Sequence, residues 1–372
     1  MKYYIIAGEA SGDLHGSNLI TAIKKTDPLA DVRAWGGDKM QASGATLVRH
    51  YKDLAFMGFV EVLKNLFTIL QNISFCKKDI LDYRPDVLVL IDYPGFNLRI
   101  AEWAKMQGFK VVYYISPQVW AWKENRVKQI KKSVDKMIVI LPFEKDFYEK
   151  WDYPVNYVGH PLVEEVDDFI VRADESEIPL YQINKGTIAL LPGSRKQEIL
   201  KKLPIMLQVS SKFPEYSFVV AKAPGIEDDF YASMLSSFKN VYAITGKTYA
   251  LLYKAKAALV TSGTATLETA LFFVPQVICY KGNPVSYQIA KRLVKIKYIG
   301  LVNLIMNKEV VKELIQHDFN IANLSRELAL ILQNEDKKAA IQEDYQKLKK
   351  LLSEGGHAST QAAKIIVEEA MA

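Results

Sequence analysis

The stretch "YYIIAGEASGDLHGSNL", residues 3–19, reads as an apolar strand, a glycine-bearing turn and the first turns of a helix. Gly8, Gly12 and Gly16 lie four residues apart. A P-loop instead needs Lys and Ser or Thr after its second Gly, and a dinucleotide fingerprint needs the spacing G-x-G-x-x-G. The turn also carries carboxylates, which repel a polyphosphate. We therefore expect it to bind hydroxyl groups, and we expect the phosphate-binding loops elsewhere in the chain.

The same succession of strand and helix recurs along the chain. Short apolar runs alternate with segments of helical spacing, and this alternation predicts parallel sheets covered by helices on both faces. The predicted strands cover residues 3–7, 87–91, 111–115, 137–141, 187–191, 217–221 and 257–261. Because the pattern runs twice, the sequence predicts an α/β fold of two Rossmann-like domains.

An acidic stretch separates the two runs. Residues 164–177 have the composition of a solvated linker. A chain of 372 residues also exceeds one ordinary core, since domains usually span about 100 to 200 residues. We predict an N-terminal Rossmann-like domain over residues 1–165 and a second one over residues 166–345.

The C-terminal region is helical by composition and period. Helical patterns cover residues 323–352 and 358–370, and "SEGGH" at 353–357 interrupts them. We predict that the C-terminal helices of residues 346–372 pack back on the N-terminal domain, or on a second copy of the chain in a homodimer.

Composition places the chain among ordinary soluble globular proteins, with 49% hydrophobic and 24% charged residues. Cys76 and Cys279 lie in apolar segments without partner spacing, so we expect buried thiols in a reducing compartment. The apolar "YYIIA" near the N-terminus is too short for a signal peptide or a membrane span. The expected location is the cytoplasm.

The net charge of +6 is distributed unevenly. Basic residues concentrate in "KENRVKQIKKSVDK" at 123–136 and "AKRLVKIK" at 290–297. Each stretch suits either a solvated helix face or contact with an anionic surface. The modest charge and the lack of a recognition motif argue against a nucleic-acid partner.

The first candidate phosphate loop is "TIALLPGSRKQEI" at 187–199. The strand leaves through Gly193, and the pair Ser194 and Gln197 predicts a capping box that starts a helix. Arg195 would then stand at a helix N-terminus, where backbone N–H groups and the helix dipole favour an anion. An ordinary capped helix with a surface arginine is the alternative.

The second candidate loop, "ALVTSGTATLETALF" at 258–272, repeats this arrangement. Ser262, Gly263 and Thr264 are small enough for a pyrophosphate to approach the backbone closely. Glu268, one turn later, could accept hydrogen bonds from the hydroxyls of a ribose. Two anion loops and a carboxylate predict a nucleoside diphosphate, and without a Walker lysine we do not expect cleavage of its terminal phosphate.

Nine short stretches, in order along nearly the whole chain, carry a resemblance to a known family. They are "GEASGD" (8–13), "MGFVEVL" (57–63), "IDYPGFN" (91–97), "SPQVWAW" (116–122), "LPFE" (141–144), "VGHP" (158–161), "LLPGSR" (190–195), "SGTATLE" (262–268) and "AKRLVK" (290–295). Together they resemble the lipid-A-disaccharide synthases, which are inverting glycosyltransferases of the two-Rossmann GT-B architecture with a cleft between the domains.

The resemblance implies a reaction and a location. The reaction is transfer of 2,3-diacylglucosamine from UDP-2,3-diacylglucosamine to the 6-hydroxyl of 2,3-diacylglucosamine 1-phosphate, giving the β-1,6 lipid A disaccharide 1-phosphate and UDP without a cofactor. The location is peripheral, on the inner face of the inner membrane of a Gram-negative bacterium. A UDP-sugar 2-epimerase of the same architecture is the alternative, but it would need a soluble substrate and no acyl-binding surface.

Asp92, at the end of the strand "VLVLID", matches the family's proposed general base. An acceptor alcohol loses a proton as it attacks the anomeric carbon, and a buried carboxylate at a strand end can take that proton. The alternative is an aspartate that caps the turn before Pro94. The family often has a second Asp where this chain has Gly95, so that position cannot be essential here. The resemblance gives Arg195 and Glu268 the same diphosphate and ribose roles.

The opening turn is predicted to line the acceptor side of the site. Glu9, Ser11, Asp13 and His15 would bind sugar hydroxyl or amide groups, although a solvent-exposed histidine at a helix start is an equal alternative for His15. Asn303 joins this set by resemblance alone. No D-x-D triplet ends a strand and no His/Cys cluster has ligand spacing, so no metal is expected.

The segment "LAFMGFVEVLKNLFTILQNISF", residues 54–75, has only Glu61 and Lys64 charged. Such a pattern is typical of an amphipathic interfacial helix and also of a buried core helix. Because the implied substrates carry acyl chains, we expect a lipid-facing role, with the basic stretches meeting anionic headgroups. The predicted membrane-facing residues are Phe56, Met57, Phe59 and Val60.

Overall fold

A computed structural model describes residues 1–54, 66–173, 185–284, 287–288 and 296–372 of the protein. The described residues divide into two compact units. The first comprises Met1–Pro161 together with Leu352–Ala372, and the second comprises Leu162–Leu351. The end of the chain therefore belongs to the same unit as its beginning.

The first unit alternates strands with helices. Its elements are β1 (Lys2–Ala7), α1 (Ala10–Thr26), β2 (Asp31–Gly36), α2 (Asp38–Ala42), β3 (Thr46–His50), a 3₁₀ turn (Tyr51–Leu54), α3 (Leu66–Tyr83), β4 (Val87–Ile91), α4 (Pro94–Met106), β5 (Val111–Tyr114), α5 (Val119–Trp122), a 3₁₀ turn (Glu124–Arg126), α6 (Val127–Ser133), β6 (Lys136–Val139), α7 (Pro142–Glu149) and β7 (Asn156–Tyr157).

The second unit repeats the alternation. Its elements, followed by the C-terminal helix of the first unit, are α8 (Pro161–Arg172), β8 (Thr187–Leu191), α9 (Lys196–Ser210), β9 (Ser217–Lys222), α10 (Asp228–Leu235), β10 (Val241–Thr245), α11 (Thr248–Lys254), β11 (Ala255–Thr261), α12 (Thr264–Leu271), β12 (Gln276–Tyr280), α13 (Leu301–Met306), β13 (Glu313–Ile315), α14 (Ile321–Gln333), α15 (Glu335–Ser353) and α16 (Ala358–Met371).

The described residues of each unit form one parallel sheet. The order is β3-β2-β1-β4-β5-β6-β7 in the first unit and β10-β9-β8-β11-β12-β13 in the second. The central strands β1 and β4 are apolar and buried at nearly every position, as expected of parallel strands packed on both faces. The predicted α/β class with two Rossmann-like domains is confirmed.

Each sheet reverses its strand order at one place. In the first unit the reversal lies between β1 and β4, and in the second it lies between β8 and β11. At such a switch point the connections leave the two neighbouring strands toward opposite faces of the sheet, which opens a crevice at the carboxyl ends of the strands. These two places are therefore where ligand-binding loops are expected.

The acidic stretch at 164–177 is not simply a linker, because α8 extends through Arg172. Apolar residues recur at helical spacing within it, and Leu162, Val163 and Val166 are buried. Phe169, one turn further on, packs edge-on against the ring of Tyr249 with 5.6 Å between ring centroids. The acidic residues lie between these apolar positions. The overall composition therefore indicated a linker, whereas the helical spacing of the apolar residues is what the structure shows.

The C-terminal pattern has one more interruption than predicted. Residues 323–352 belong to two helices, α14 and α15, separated at Asn334. After the "SEGGH" interruption, α16 packs against α1 and β4 of the same chain. The backbone N–H of His160 donates to the Leu352 carbonyl at 2.9 Å, and a Cβ on Gly355 would lie 2.0 Å from the nitrogen of Gly159. The chain that returns to the first unit therefore packs closely against residues 159–160.

Of the segment predicted to face lipid, the structure describes residue 54 and residues 66–75, and the latter belong to α3. Phe67 is 71% exposed and Leu70 is also exposed, whereas Ile73 is buried. Phe56, Met57, Phe59 and Val60 lie outside the described residues. Among the helices that the structure describes, none is long and apolar enough to cross a membrane.

The basic stretch at 123–136 contains α6, which buries Val127 and Ile130 and exposes its lysines. Residues 290–295 of the second basic stretch lie outside the described residues. Cys76 and Cys279 are buried free thiols, as predicted.

Candidate active site

The switch point of the first unit brings Glu9 and Asp92 to the same edge of the sheet. Ala7, the last residue of β1, pairs with Ile91, the last residue of β4. The turns that follow these two strands, which contain Glu9 and Asp92, therefore lie side by side. The Glu9 charge acts on the Asp92 carboxyl group, in agreement with this proximity.

The turn after β4 has an unusual backbone. Asp92 and Tyr93 both adopt left-handed conformations, with φ of 45° and 49°, which cost non-glycine residues free energy. The Asp92 carbonyl accepts hydrogen bonds from Asn97 Nδ2 at 2.8 Å and from the Tyr113 hydroxyl at 2.5 Å. Asn97 Nδ2 also donates to the Ile91 carbonyl at 3.2 Å. These contacts stabilise the strained turn, which places Asp92 directly after the end of β4.

The Tyr93 ring lies so close to residue 8 that this position of the opening turn requires a glycine. A Cβ built on Gly8 would lie 2.4 Å from the Tyr93 ring. The Tyr93 ring also stacks on Phe96, with 5.7 Å between centroids. The absence of a side chain at residue 8 therefore lets the Asp92 turn close over β1.

The environment of Asp92 raises the pKa of its carboxyl group. Burial, and secondly the neighbouring Glu9 charge, raise its pKa from 3.8 to about 6, while a backbone hydrogen bond from Tyr93 opposes the rise. A base is most effective when its pKa lies near the working pH. Asp92 can therefore be ionised at neutral pH and still accept a proton readily.

Asp13, predicted on the acceptor side, is hydrogen-bonded to the start of α2. Its carboxylate is buried and accepts the backbone N–H groups of Gly37 at 2.7 Å, Met40 at 3.0 Å and Lys39 at 3.2 Å. These N–H groups lie at the beginning of α2, where the helix itself offers them no acceptor. Asp13 thus stabilises the start of that helix, which is a structural role that the sequence did not reveal.

His15 is not a solvent-exposed histidine. Burial lowers the pKa of His15 to about 4. The pKa of His160 falls to about 3, first because of burial and then because of His15, so the two imidazoles lie near each other and are neutral at pH 7. Of the remaining predicted acceptor residues in this turn, Glu9 is half-buried and Ser11 is exposed.

A buried carboxyl group that sequence reasoning passed over supports the next loop of this edge. Glu144 Oε1 accepts from Trp120 Nε1 at 3.2 Å, and its Oε2 accepts from the backbone N–H of Leu141 at 3.0 Å. Burial raises the pKa of Glu144 to about 7. The loop that follows β5, the neighbour of β4, is thereby anchored to the start of α7. "LPFE" contained the signal, because Glu144 stands three residues after Leu141 at a helix start.

The switch point of the second unit brings together the two predicted phosphate loops. β8 and β11 are paired in parallel, and the loops at 193–195 and 262–264 follow them directly. Gly193 has φ of 119° and Gly263 has φ of 148°, conformations that favour glycine. Both loops lead straight into helices, α9 and α12.

The capping box predicted in the first loop is absent. α9 begins at Lys196, so the N-cap residue is Arg195 rather than Ser194, and no side chain caps it. The Arg195 side chain is 62% exposed, with Nη1 3.6 Å from Glu198 Oε1. Ser194 is exposed beside it. The uncapped N–H groups of the first turn remain suited to an anion.

In the second loop, space is open at the glycine. Among the residues that the structure describes, none lies within 4 Å of a Cβ built on Gly263, and Thr264 is exposed. The Ser262 hydroxyl donates to the Ile299 carbonyl at 2.8 Å, so its hydrogen is committed to the loop. A ligand can therefore approach the backbone between Gly263 and Thr264.

Glu268 has a partner that the sequence did not reveal. The Tyr249 hydroxyl donates to Glu268 Oε1 at 3.1 Å, and burial raises the pKa of Glu268. In sequence, Tyr249 reads as one more apolar position of a helix. The contact fixes one carboxylate oxygen of Glu268.

Asn303, predicted by resemblance alone, is fully buried. Its Oδ1 accepts the backbone N–H groups of Val310 at 2.9 Å and Val311 at 3.0 Å, and its Nδ2 donates to the Val311 carbonyl at 2.8 Å and to Glu313 Oε1 at 2.9 Å. Glu313 in turn accepts the Gly300 N–H at 3.0 Å. The Asn303 amide is therefore hydrogen-bonded to the loop around it at both of its polar atoms. Within the described ranges, no group of three His, Cys, Asp or Glu residues could hold a metal ion.

Solved structures of two kinds of enzyme share this fold. UDP-GlcNAc 2-epimerase from Neisseria meningitidis aligns over 100% of both chains, with a TM-score of 0.69 and 15% identity. CalG4, the calicheamicin glycosyltransferase, aligns over 99% of this chain and 97% of its own, with a TM-score of 0.62 and 15% identity. At such identities the likeness defines the fold alone, which is the GT-B class of two Rossmann-like units.

Sequence similarity narrows the class to a family. The family profile described as lipid-A-disaccharide synthetase matches residues 3–369. The lipid-A-disaccharide synthase of Syntrophus aciditrophicus is 39% identical over 364 residues, covering 96% of this chain and 95% of the relative. That of Trichlorobacter lovleyi is 38% identical over 360 residues, covering 95% and 94%. The chain belongs to the lipid-A-disaccharide synthase family and is a hexosyltransferase of lipid A biosynthesis.

Proposed function

We propose that the protein transfers 2,3-diacylglucosamine from UDP-2,3-diacylglucosamine to the 6-hydroxyl of 2,3-diacylglucosamine 1-phosphate. The observation that carries the proposal is Asp92, held in a strained turn at the switch point of the first unit with its pKa raised to about 6. The two anion loops of the second unit support it, because the donor carries a diphosphate.

In the proposed reaction Asp92 accepts the proton of the 6-hydroxyl while that oxygen attacks the anomeric carbon of the donor. The bond from this carbon to the diphosphate breaks at the same time, and the configuration inverts. Arg195 and the N-terminal N–H groups of α9 and α12 stabilise the charge that develops on UDP. Glu268 accepts hydrogen bonds from the ribose hydroxyls, with its carboxylate held by Tyr249.

The direct test is incubation with both diacyl substrates and analysis of the products by mass spectrometry. Formation of UDP and the diacyl disaccharide phosphate in equal amounts supports the proposal. Epimerised UDP-sugar without disaccharide would support the epimerase alternative, and no product with either substrate would contradict both.

The pH dependence of kcat/KM provides a second test. Because only ionised Asp92 accepts a proton and its pKa is raised to about 6, kcat/KM should rise with pH through about pH 6 and then level off. An ordinary aspartate would give a plateau already above about pH 5. Rate measurements from pH 4.5 to 8 distinguish the two, and a flat profile across this range would contradict the assignment of Asp92.

Reversible contact with the membrane is part of the proposal, because the acyl chains of both substrates prefer a bilayer. Phe56, Met57, Phe59 and Val60 would insert, and nearby basic groups would meet anionic headgroups. Anionic vesicles should bind the protein at low salt and release part of it as salt rises, since surface charges are screened within about 10 Å at 0.1 M.

Replacement of Phe56 and Phe59 by Ser should reduce vesicle binding in a sedimentation assay and leave the thermal midpoint nearly unchanged. Leu29→Ser is the matched control, because Leu29 is an exposed apolar residue outside the segment. Early unfolding of the double variant, together with a wild type that ignores vesicles, would show that residues 54–75 form a core helix.

A further inference from the structure

A lysine is buried directly behind the first anion loop. The side chain of Lys202, on α9, is only 4% exposed, and its Nζ lies 3.8 Å from Glu198 Oε2. Lysine is rarely buried to this degree unless it is paired. Burial lowers the pKa of Lys202 and the Glu198 charge opposes that change. The proposed reaction as described above makes no use of this ammonium group.

Glu198 is shared between two cations. Its Oε1 lies 3.6 Å from Arg195 Nη1 and its Oε2 lies 3.8 Å from Lys202 Nζ. Gly193 leaves room for this arrangement, because a Cβ there would lie 2.7 Å from Glu198 Oε2 and 3.6 Å from Lys202 Nζ. The three charges therefore run from the exposed face of the loop to the interior, with the carboxylate in the middle.

This arrangement matters when an anion binds. A diphosphate at the loop competes with Glu198 for the Arg195 guanidinium and is repelled by the Glu198 carboxylate, and such interactions are strong where water is partly excluded. Arg195 and Glu198 alone sum to zero charge, whereas Lys202 makes the group of three cationic. A buried partner would also hold the carboxylate in place after Arg195 has turned to the ligand.

We infer that Lys202 is a positioning residue of the nucleotide site, which neutralises and holds Glu198 so that Arg195 can turn from Glu198 to the diphosphate of the nucleotide sugar. The inference rests on the proposed function, since it assumes that the diphosphate binds at residues 193–195. It assigns Lys202 an action through Glu198 rather than contact with the ligand, and this difference can be measured.

The experiment is calorimetric titration of UDP into the wild type and the variants K202M, E198Q and E198Q/K202M. K202M should weaken UDP binding by about tenfold or more, because Glu198 keeps its charge and retains Arg195. E198Q should bind UDP at least as tightly as the wild type. The double variant should return to within about threefold of the wild type, since the two changes are coupled through one contact. K201M, which removes an exposed lysine next in sequence, is the control of equal charge change.

Two results would overturn the inference. If K202M and K201M bind UDP with equal affinity, Lys202 serves only the core. If the double variant binds UDP as weakly as K202M does, Lys202 contacts the ligand directly. If K202M does not fold, E198Q and the double variant still decide, because weaker binding by E198Q contradicts a repulsive Glu198. Failure of the wild type to bind UDP would overturn the proposed function itself, whereas binding that depends on Arg195 but not on Lys202 would overturn this inference alone.

Discussion

Asp92→Asn is expected to lower turnover by about 10²-fold or more while leaving UDP affinity nearly unchanged. The asparagine amide fills the same space at the strand end but cannot accept the proton of the 6-hydroxyl. UDP affinity should persist because the proposed diphosphate and ribose contacts all belong to the second unit. Steady-state kinetics with the two diacyl substrates and calorimetric titration of UDP provide the two measurements.

Asp82→Asn is the matched control, because Asp82 is an exposed aspartate of the same unit and loses the same charge. Stability gives an independent check. The pKa of Asp92 is raised in the folded state, so its ionisation destabilises the fold as pH rises from about 4 to about 6. Asp92→Asn should therefore raise the thermal midpoint at pH 7 relative to wild type, and less so at pH 4. Near-normal turnover in this variant would remove Asp92 from the mechanism.

The fold was predictable where local sequence suffices. Strands such as β4, "VLVLI", are apolar throughout and need no knowledge of the partner strand. β2, "DVRAWG", was not predicted because a charged residue interrupts it. In the structure Arg33 is bound by Asp79, with Nε 2.9 Å from Oδ2. That carboxylate comes from α3, and a partner so distant in sequence leaves no mark on the local pattern.

In the candidate site too, features set by local sequence were predictable and contacts with distant residues were not. The positions of Asp92, Arg195 and Gly263 were predictable because they follow buried strands directly and strand order then places them at the switch points. Their roles stay predictions. The hydrogen-bond partners of Asp13 and Asn303 were not predictable, because polar residues near a turn look alike whether they face a ligand or satisfy backbone groups. Only the three-dimensional structure shows that α2 and the 310–313 segment take up their hydrogen-bonding capacity.

Arg195→Ala and Glu268→Ala are each expected to weaken UDP binding by about 1 to 3 kcal/mol, the cost of leaving a charge-assisted hydrogen bond unmade. This corresponds to roughly 5-fold to 150-fold in the dissociation constant. Arg195 should act on the diphosphate, so its loss should weaken UDP and UMP to different extents and should leave uridine unaffected. Glu268 should act on the ribose, so its loss should weaken all three ligands.

Tyr249→Phe removes the hydroxyl group that donates a hydrogen bond to the Glu268 carboxylate. The tyrosine hydroxyl holds Glu268 Oε1 at 3.1 Å, so its removal should weaken UDP less than Glu268→Ala does while preserving the aromatic contact with Phe169. Lys201→Ala, on the exposed face of α9, is the control for the loss of a positive charge near Arg195. Calorimetric affinities that are unchanged in both Arg195→Ala and Glu268→Ala would place the nucleotide away from this switch point. A loss in Arg195→Ala that extends equally to uridine would mean that the arginine supports the loop and does not bind phosphate.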